Sequence, residues 1–195
     1  MSINLLETIQ NNLHYPPLKK IDPNTEEVKK DNKPTGEHAF SQAAIPSILT
    51  GLYAYSAKDE NAAHILSGDI SSNWVSEIFG NNSQEIVRQV SSYASRSHDD
   101  TLKEMNEIAT EAVNIIRKEV TPSATIMDVK KFLSNHTNNF LKYLPKELHV
   151  GQVVHEETLD DNTNKMEGPV STLMHKIGAA FSNPSNEDEV NTERK

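Results

Sequence analysis

The chain has no cysteine, which excludes disulfide staples, thiol nucleophiles and thiolate metal clusters. It is also short of basic charge. Nineteen lysines and arginines against 28 aspartates and glutamates leave a net charge of −9, which on average repels nucleic acid and anionic membrane surfaces. The lysine clusters Lys19-Lys20 and Lys29-Lys30 with Lys33 are interleaved with Asp22, Glu26, Glu27 and Asp31, so no nucleic-acid partner is expected. No apolar run approaches the roughly 18 uninterrupted residues of a membrane span. The opening MSINLLETIQNNLHYPP lacks the basic lead of a secretory signal. A soluble, cytoplasmic protein with no transmembrane segment is the expectation. Hydrophobic residues make up only 35%, below the roughly 45 to 50% of an ordinary globular domain even with the seven glycines added. Part of the chain is therefore expected outside the core.

What is present is helical periodicity. Ile3, Leu6, Ile9 and Leu13, with Leu5 alongside, write a short amphipathic helix that Pro16-Pro17 ends. From Tyr15 to Gly36 the sequence holds four prolines and few large apolar residues, and it reads as a linker or mobile arm. The helix before it is then either a satellite that docks back or a detached binding element. Ala39, Ala43, Pro46, Leu49 and Tyr53, with Ile45, Ile48 and Leu52 beside them, predict a broad apolar helical face, kinked or split at Pro46 because proline removes a backbone donor and clashes with the preceding turn.

Short helices follow, one capped by Asp59 and one running through Trp74, Val75, Ile78 and Phe79. Ile86, Val87, Val90, Tyr93 and Ala94 give the next face. The cleanest stripe is Leu102, Met105, Ile108, Ala109, Ala112, Ile115 and Ile116, with Asp99 or Asp100 as its cap. Ile126, Val129, Leu133, His136, Phe140 and Leu144 continue the three-and-four spacing through SNHTNN, a poor helix former expected to break the helix. One short extended run is predicted at His149 to Val154, too little to make a sheet.

The fold class is therefore all-α, a small irregular bundle of six to seven helices with a disordered N-terminal arm and C-terminal tail. Its divisions are a short helix at 1–14, a flexible linker at 15–36, a helical core domain at 37–145, an acidic connector at 146–169, an amphipathic helix at 170–182 and a disordered tail at 183–195.

The string IPSILTGLYAYS, Ile45 to Ser56, resembles the LPxLLxGL signature of the YidB-like bacterial family of unknown function, in which a proline-bearing apolar helix runs into a glycine and short helices follow. The similarity continues through FGNNSQEIVRQVSSYAS, Phe79 to Ser95, and the helix from Thr101 to Val120 falls where that family has its second apolar helix. It spans the middle third to half of the chain. The resemblance implies an all-helical fold with no established activity and supplies no catalytic residues.

Candidate chemistry is sparse. In HEETLDDNTNKMEGP, His155 to Pro169, Asp160, Asn162 and Asn164 alternate like the first ligands of a calcium loop, but Lys165 stands where such a loop needs glycine and Ser171 where it needs glutamate. A metal-binding protein or metal-dependent enzyme using this acidic connector, 155–167, with His149 or His155 is the alternative reading. No two histidines stand four apart, as a helical zinc site prefers, and Glu60 with His64 reads as a surface ion pair. His136 reads as a buried histidine satisfied by one hydrogen bond. Glu104, Glu107 and Glu111 read as a solvated face, since the ExxH partner of a carboxylate-bridged metal bundle is missing. No GxSxG elbow, GxxxxGK[ST] loop or GxGxxG occurs.

Near the end, Val170, Leu173, Met174, Ile177 and Phe181 form one apolar stripe between the acidic connector and the polar tail SNPSNEDEVNTERK. The same pattern serves a docking peptide and a last core helix. These five residues are the candidate partner-binding set. The overall expectation is a non-enzymatic protein-interaction or structural module that engages a protein partner or itself and needs no catalytic residue, metal or cofactor.

Overall fold

A computed structural model describes residues 3–21, 36–67, 73–120 and 123–154. Its α-helices are α1 (Leu5–Asn12), α2 (Glu37–Tyr55), α3 (Asp59–Ser67), α4 (Trp74–Phe79), α5 (Ser83–Ala94), α6 (His98–Glu119), α7 (Ile126–Leu141) and the single turn α8 (Val150–Val154). No strand occurs among the described residues, so the fold is all-α.

The helix α2 is the axis of the bundle. Every residue from Ala39 to Tyr53 is buried, so its apolar character goes all the way round, further than the broad face expected from spacing. A helix apolar on all sides has to be enclosed, and α1, α4, α5, α6, α7 and α8 all pack against it. Its buried hydroxyls are compatible with that burial because they bond within the helix. Ser47 donates to the Ala43 carbonyl and Thr50 to the Pro46 carbonyl, each at 2.7 Å. Pro46 does not split α2, which runs on as one helix inside its ring of neighbours.

The outer helices each bury one stripe: Ile86, Val87 and Val90 from α5, Met105, Ile108, Ala109, Ala112 and Ile116 from α6, and Val129, Leu133 and Phe140 from α7. The cap of α6 is Ser97 rather than Asp99 or Asp100; its hydroxyl accepts from the Asp100 N–H at 3.2 Å. SNHTNN does not break α7, because its polar side chains bond back into the helix: Thr137 donates to the Ser134 carbonyl at 2.8 Å, and the His136 ring meets the Phe132 carbonyl at 2.7 Å. The extended run expected at His149 to Val154 is helical instead. Val150 and Val153 are both buried, at a spacing of three, once His149 reverses the chain at φ +42°.

The N-terminal helix is not detached. Leu5, Leu6 and Ile9 are at most 2% exposed and belong to the main core, so α1 docks on α2 and α6. The start of the segment read as a linker, Tyr15 to Ile21, also lies on the body. The buried Gln42 amide accepts from the Lys19 N–H at 2.8 Å and donates to the Lys19 carbonyl at 3.0 Å and the Tyr143 carbonyl at 2.6 Å, while the Ile21 N–H reaches the Lys142 carbonyl at 2.8 Å. With few apolar side chains to bury, this stretch is held by satisfying its backbone groups.

Two expectations follow from this packing. A methyl group on Gly51 would lie 2.5 Å from the Phe79 ring and 2.6 Å from Ile78, so Gly51→Ala forces α4 away from α2. It should lower unfolding stability by about 1–3 kcal/mol in urea titrations, with partial recovery when combined with Phe79→Leu. At the start of α7, the Asp128 carboxylate accepts from the Thr125 N–H at 2.8 Å and the Thr125 hydroxyl at 2.9 Å, and these bonds, the backbone one foremost, hold its carboxyl below the usual range. A lowered carboxyl stabilises the fold above its ordinary pKa of about 3.9, and that contribution is lost as pH falls through the lowered value. The difference in urea midpoint between the natural chain and Asp128→Asn should be full at neutral pH and close in acid.

Candidate functional site

The stripe Val170, Leu173, Met174, Ile177 and Phe181 and the connector 155–167 with His155 lie outside the described residues. The body's own chemistry-bearing side chains gather in three places.

The densest lies where α2 ends against α3 and α4. The Tyr55 hydroxyl is 2.9 Å from Nδ1 of His64, and the same nitrogen is 3.2 Å from Oε2 of Glu77. The imidazole lies on the Trp74 ring with centroids 5.0 Å apart, and Asn61 donates to the Tyr55 carbonyl at 3.0 Å. The partners of His64 are thus Tyr55 and Glu77, not the Glu60 of the expected i,i+4 pair. A hydroxyl–imidazole–carboxylate relay puts the hydroxyl and the acid on opposite ring nitrogens. Here both address Nδ1, so the ring cannot pass a proton between them. Burial, and then the nearby Glu77 and Glu60 charges, push the Tyr55 phenol up, away from a phenolate base. This arrangement joins three helices and has the geometry of a packing contact.

The second place is the face of α6. Glu104 is bound by Arg96, whose Nη1 donates at 2.9 Å, and accepts from the Tyr15 hydroxyl at 3.2 Å. The Arg96 guanidinium lies 4.5 Å from the centre of the Phe40 ring. Glu111 accepts from Asn12 at 2.7 Å, and Glu107 alone of the three is exposed. The predicted solvated face is therefore a set of clamps on α1 and the chain that follows it. The Tyr15 phenol is pushed far up, by burial first and the Glu104 charge second.

The third is a groove of about 520 Å³ between α5 and the turn before α8, lined among others by Arg88, Tyr93, Glu147 and His149. Burial, helped by Glu147, pushes the Tyr93 phenol up. Among the described residues no group of three or more histidine, aspartate or glutamate side chains is placed to hold a metal ion. Nor is any helix among them long and apolar enough to cross a membrane.

Sequence reading missed the long-range bonds. Besides Gln42, Asn106 of α6 accepts from the Val75 N–H at 2.9 Å and so caps the first turn of α4 from a distant helix, while Asn73 at the cap position makes no side-chain cap bond. His136, read as satisfied by one bond, faces two carbonyls, the second being Ile3 at 2.8 Å. Lys130 of α7 reaches the Ala57 carbonyl at 2.9 Å and Asp59 at 2.5 Å, which draws α3 onto α7. No periodic signal announces such partners.

Asn106→Ala leaves the Val75 N–H without its acceptor and should cost about 1–2 kcal/mol of unfolding stability, whereas Asn106→Asp, which keeps the acceptor at a helix N-terminus, should retain most of it in the same urea titration. Comparison of the chain with protein-family models, with curated proteins and with solved structures finds no match in any of the three.

Proposed function

We propose that the chain is a non-enzymatic, cytoplasmic helical protein that works by binding a protein partner or a second copy of itself, with Val170, Leu173, Met174, Ile177 and Phe181 as its contact stripe. The observation that carries this reading is how the body uses its polar side chains. Gln42, Asn106, His136, Lys130 and the Arg96–Glu104 pair all bond to other parts of the same body and fix helix positions. Met127 is the one large apolar side chain exposed among the described residues, so the body offers little apolar surface for docking. The stripe at 170–181 concentrates the apolar contact that a helix-in-groove partner requires.

The same reading takes the chain as a relative of the YidB-like family. The contact of Phe79 with Gly51 supports it, since the glycine of IPSILTGL is then the residue that lets a following short helix close on the proline-bearing one.

The test places a photo-crosslinking residue at Met174 of the full chain. A discrete adduct, with a second copy or with one other protein, is expected, and Leu173→Glu with Ile177→Glu should remove it while the urea midpoint of the body stays unchanged. Two results would defeat the reading: no adduct, or a double variant that unfolds at markedly lower urea and so places the stripe in the core.

A further inference from the structure

His136 is 5% exposed, and its two ring nitrogens both face backbone carbonyl oxygens: Nδ1 lies 2.7 Å from the Phe132 carbonyl and Nε2 lies 2.8 Å from the Ile3 carbonyl. A carbonyl oxygen can only accept. A neutral imidazole carries one N–H and one lone pair, so whichever tautomer it adopts, one nitrogen turns its lone pair toward an oxygen at hydrogen-bond distance. The doubly protonated ring donates to both.

We propose that α1 is latched to the body by the imidazolium form of His136, which bridges α7 to the entry of α1, and that loss of this proton loosens α1. The proposal rests on the geometry of the body and does not depend on the function proposed above.

A buried cation costs desolvation free energy and persists only where bonds to it compensate. Here the compensation is two short charge-assisted bonds and the Phe132 ring, whose centroid is 4.4 Å from that of the imidazole. The charged or titratable groups on the helices packed against α7 are Glu7 of α1, which is exposed; Glu37, His38, Tyr53 and Tyr55 of α2, of which Tyr53 is bonded to Ser134; Asp59, Glu60 and His64 of α3, of which Asp59 is bound to Lys130 and His64 to Tyr55 and Glu77; and, on α7 itself, Asp128, Lys130 and Lys131. The ring nitrogens themselves address the two carbonyls.

The latch couples to the chain where it matters. Ile3 lies just before Asn4, whose side chain accepts from the Glu7 N–H and whose carbonyl accepts from the Thr8 N–H, so the bond to Ile3 fixes the entry of α1. Leu5, Leu6 and Ile9 then sit in the core.

The sign follows from proton linkage. With the proton bound when α1 is docked and released when it is open, the opening equilibrium is independent of pH where the open-state ring is also protonated. It rises with pH above about 6.5, the ordinary imidazole value, by up to tenfold per pH unit for one proton.

Two measurements on the full chain test this. Long-range ¹H–¹⁵N correlation at neutral pH should find both ring nitrogens of His136 protonated. Amide exchange, corrected for its intrinsic pH dependence, should find protection of Leu6 to Asn12 falling as pH rises from 6.5 to 8.5 while the centre of α6 holds, and this fall should vanish in His136→Leu. A neutral His136 tautomer at neutral pH with α1 still protected would overturn the proposal even if the variant fails to fold. Exchange of α1 and α6 in parallel at every pH would overturn it as well.

Discussion

The enclosure of α2 is the constraint on which the rest of the structure depends. Fifteen consecutive residues, 39–53, are removed from water on every side, and no single neighbour can do that. Fully burying each Ile, Leu or Phe contributes about 1.5–3 kcal/mol relative to leaving it exposed. Phe40, Ile45, Ile48, Leu49 and Leu52 therefore supply a driving force large enough to gather six other helices around one axis. The small residues of α2 decide how close those neighbours come. Ala39, Ala43 and Ala44 are buried with almost no exposure, and Gly51 takes the Phe79 ring where any side chain would collide.

Apolar burial sets which faces turn inward, but it is non-directional and does not fix the order in which helices sit around α2. Directional bonds do that. Gln42 ties α2, the chain at Lys19 and the end of α7 with a single amide; Asn106 ties α6 to α4; Lys130 ties α7 to α3; Arg96 and Glu104 hold Tyr15 beside Phe40. A net hydrogen bond contributes about 0.5–1.5 kcal/mol, but one left unmade in the interior costs about 1–3 kcal/mol. An arrangement with these helices exchanged would strand the Gln42 amide and the Val75 N–H. Specificity here comes from the penalty on the alternatives.

The same division explains what could be read from the sequence. Spacing of three and four reports a face, and the faces of α1, α5, α6 and α7 emerge in the structure with their apolar residues inward. Spacing does not report a partner, so Gln42 and Asn106 pass as ordinary polar residues until α7 and α4 are in place. Local propensity misleads where tertiary bonds intervene. SNHTNN looks like a break, yet its histidine and threonine side chains bond back to the helix, and the β-branched run after His149 looks extended, yet its buried valines stand three apart. The stripe at Val170 to Phe181, which lies outside the described residues, is legible only as a periodic face, because what a face packs against is long-range information that its own residues do not carry.

The attachment of α1 brings both kinds of interaction to one place. Leu5, Leu6 and Ile9 bury enough surface to contribute several kcal/mol together. A latch at Ile3 and a hydrogen bond at Asn12 modulate that docking without creating it. Apolar burial determines that α1 docks, and the polar contacts at its two ends determine its register and how readily it leaves.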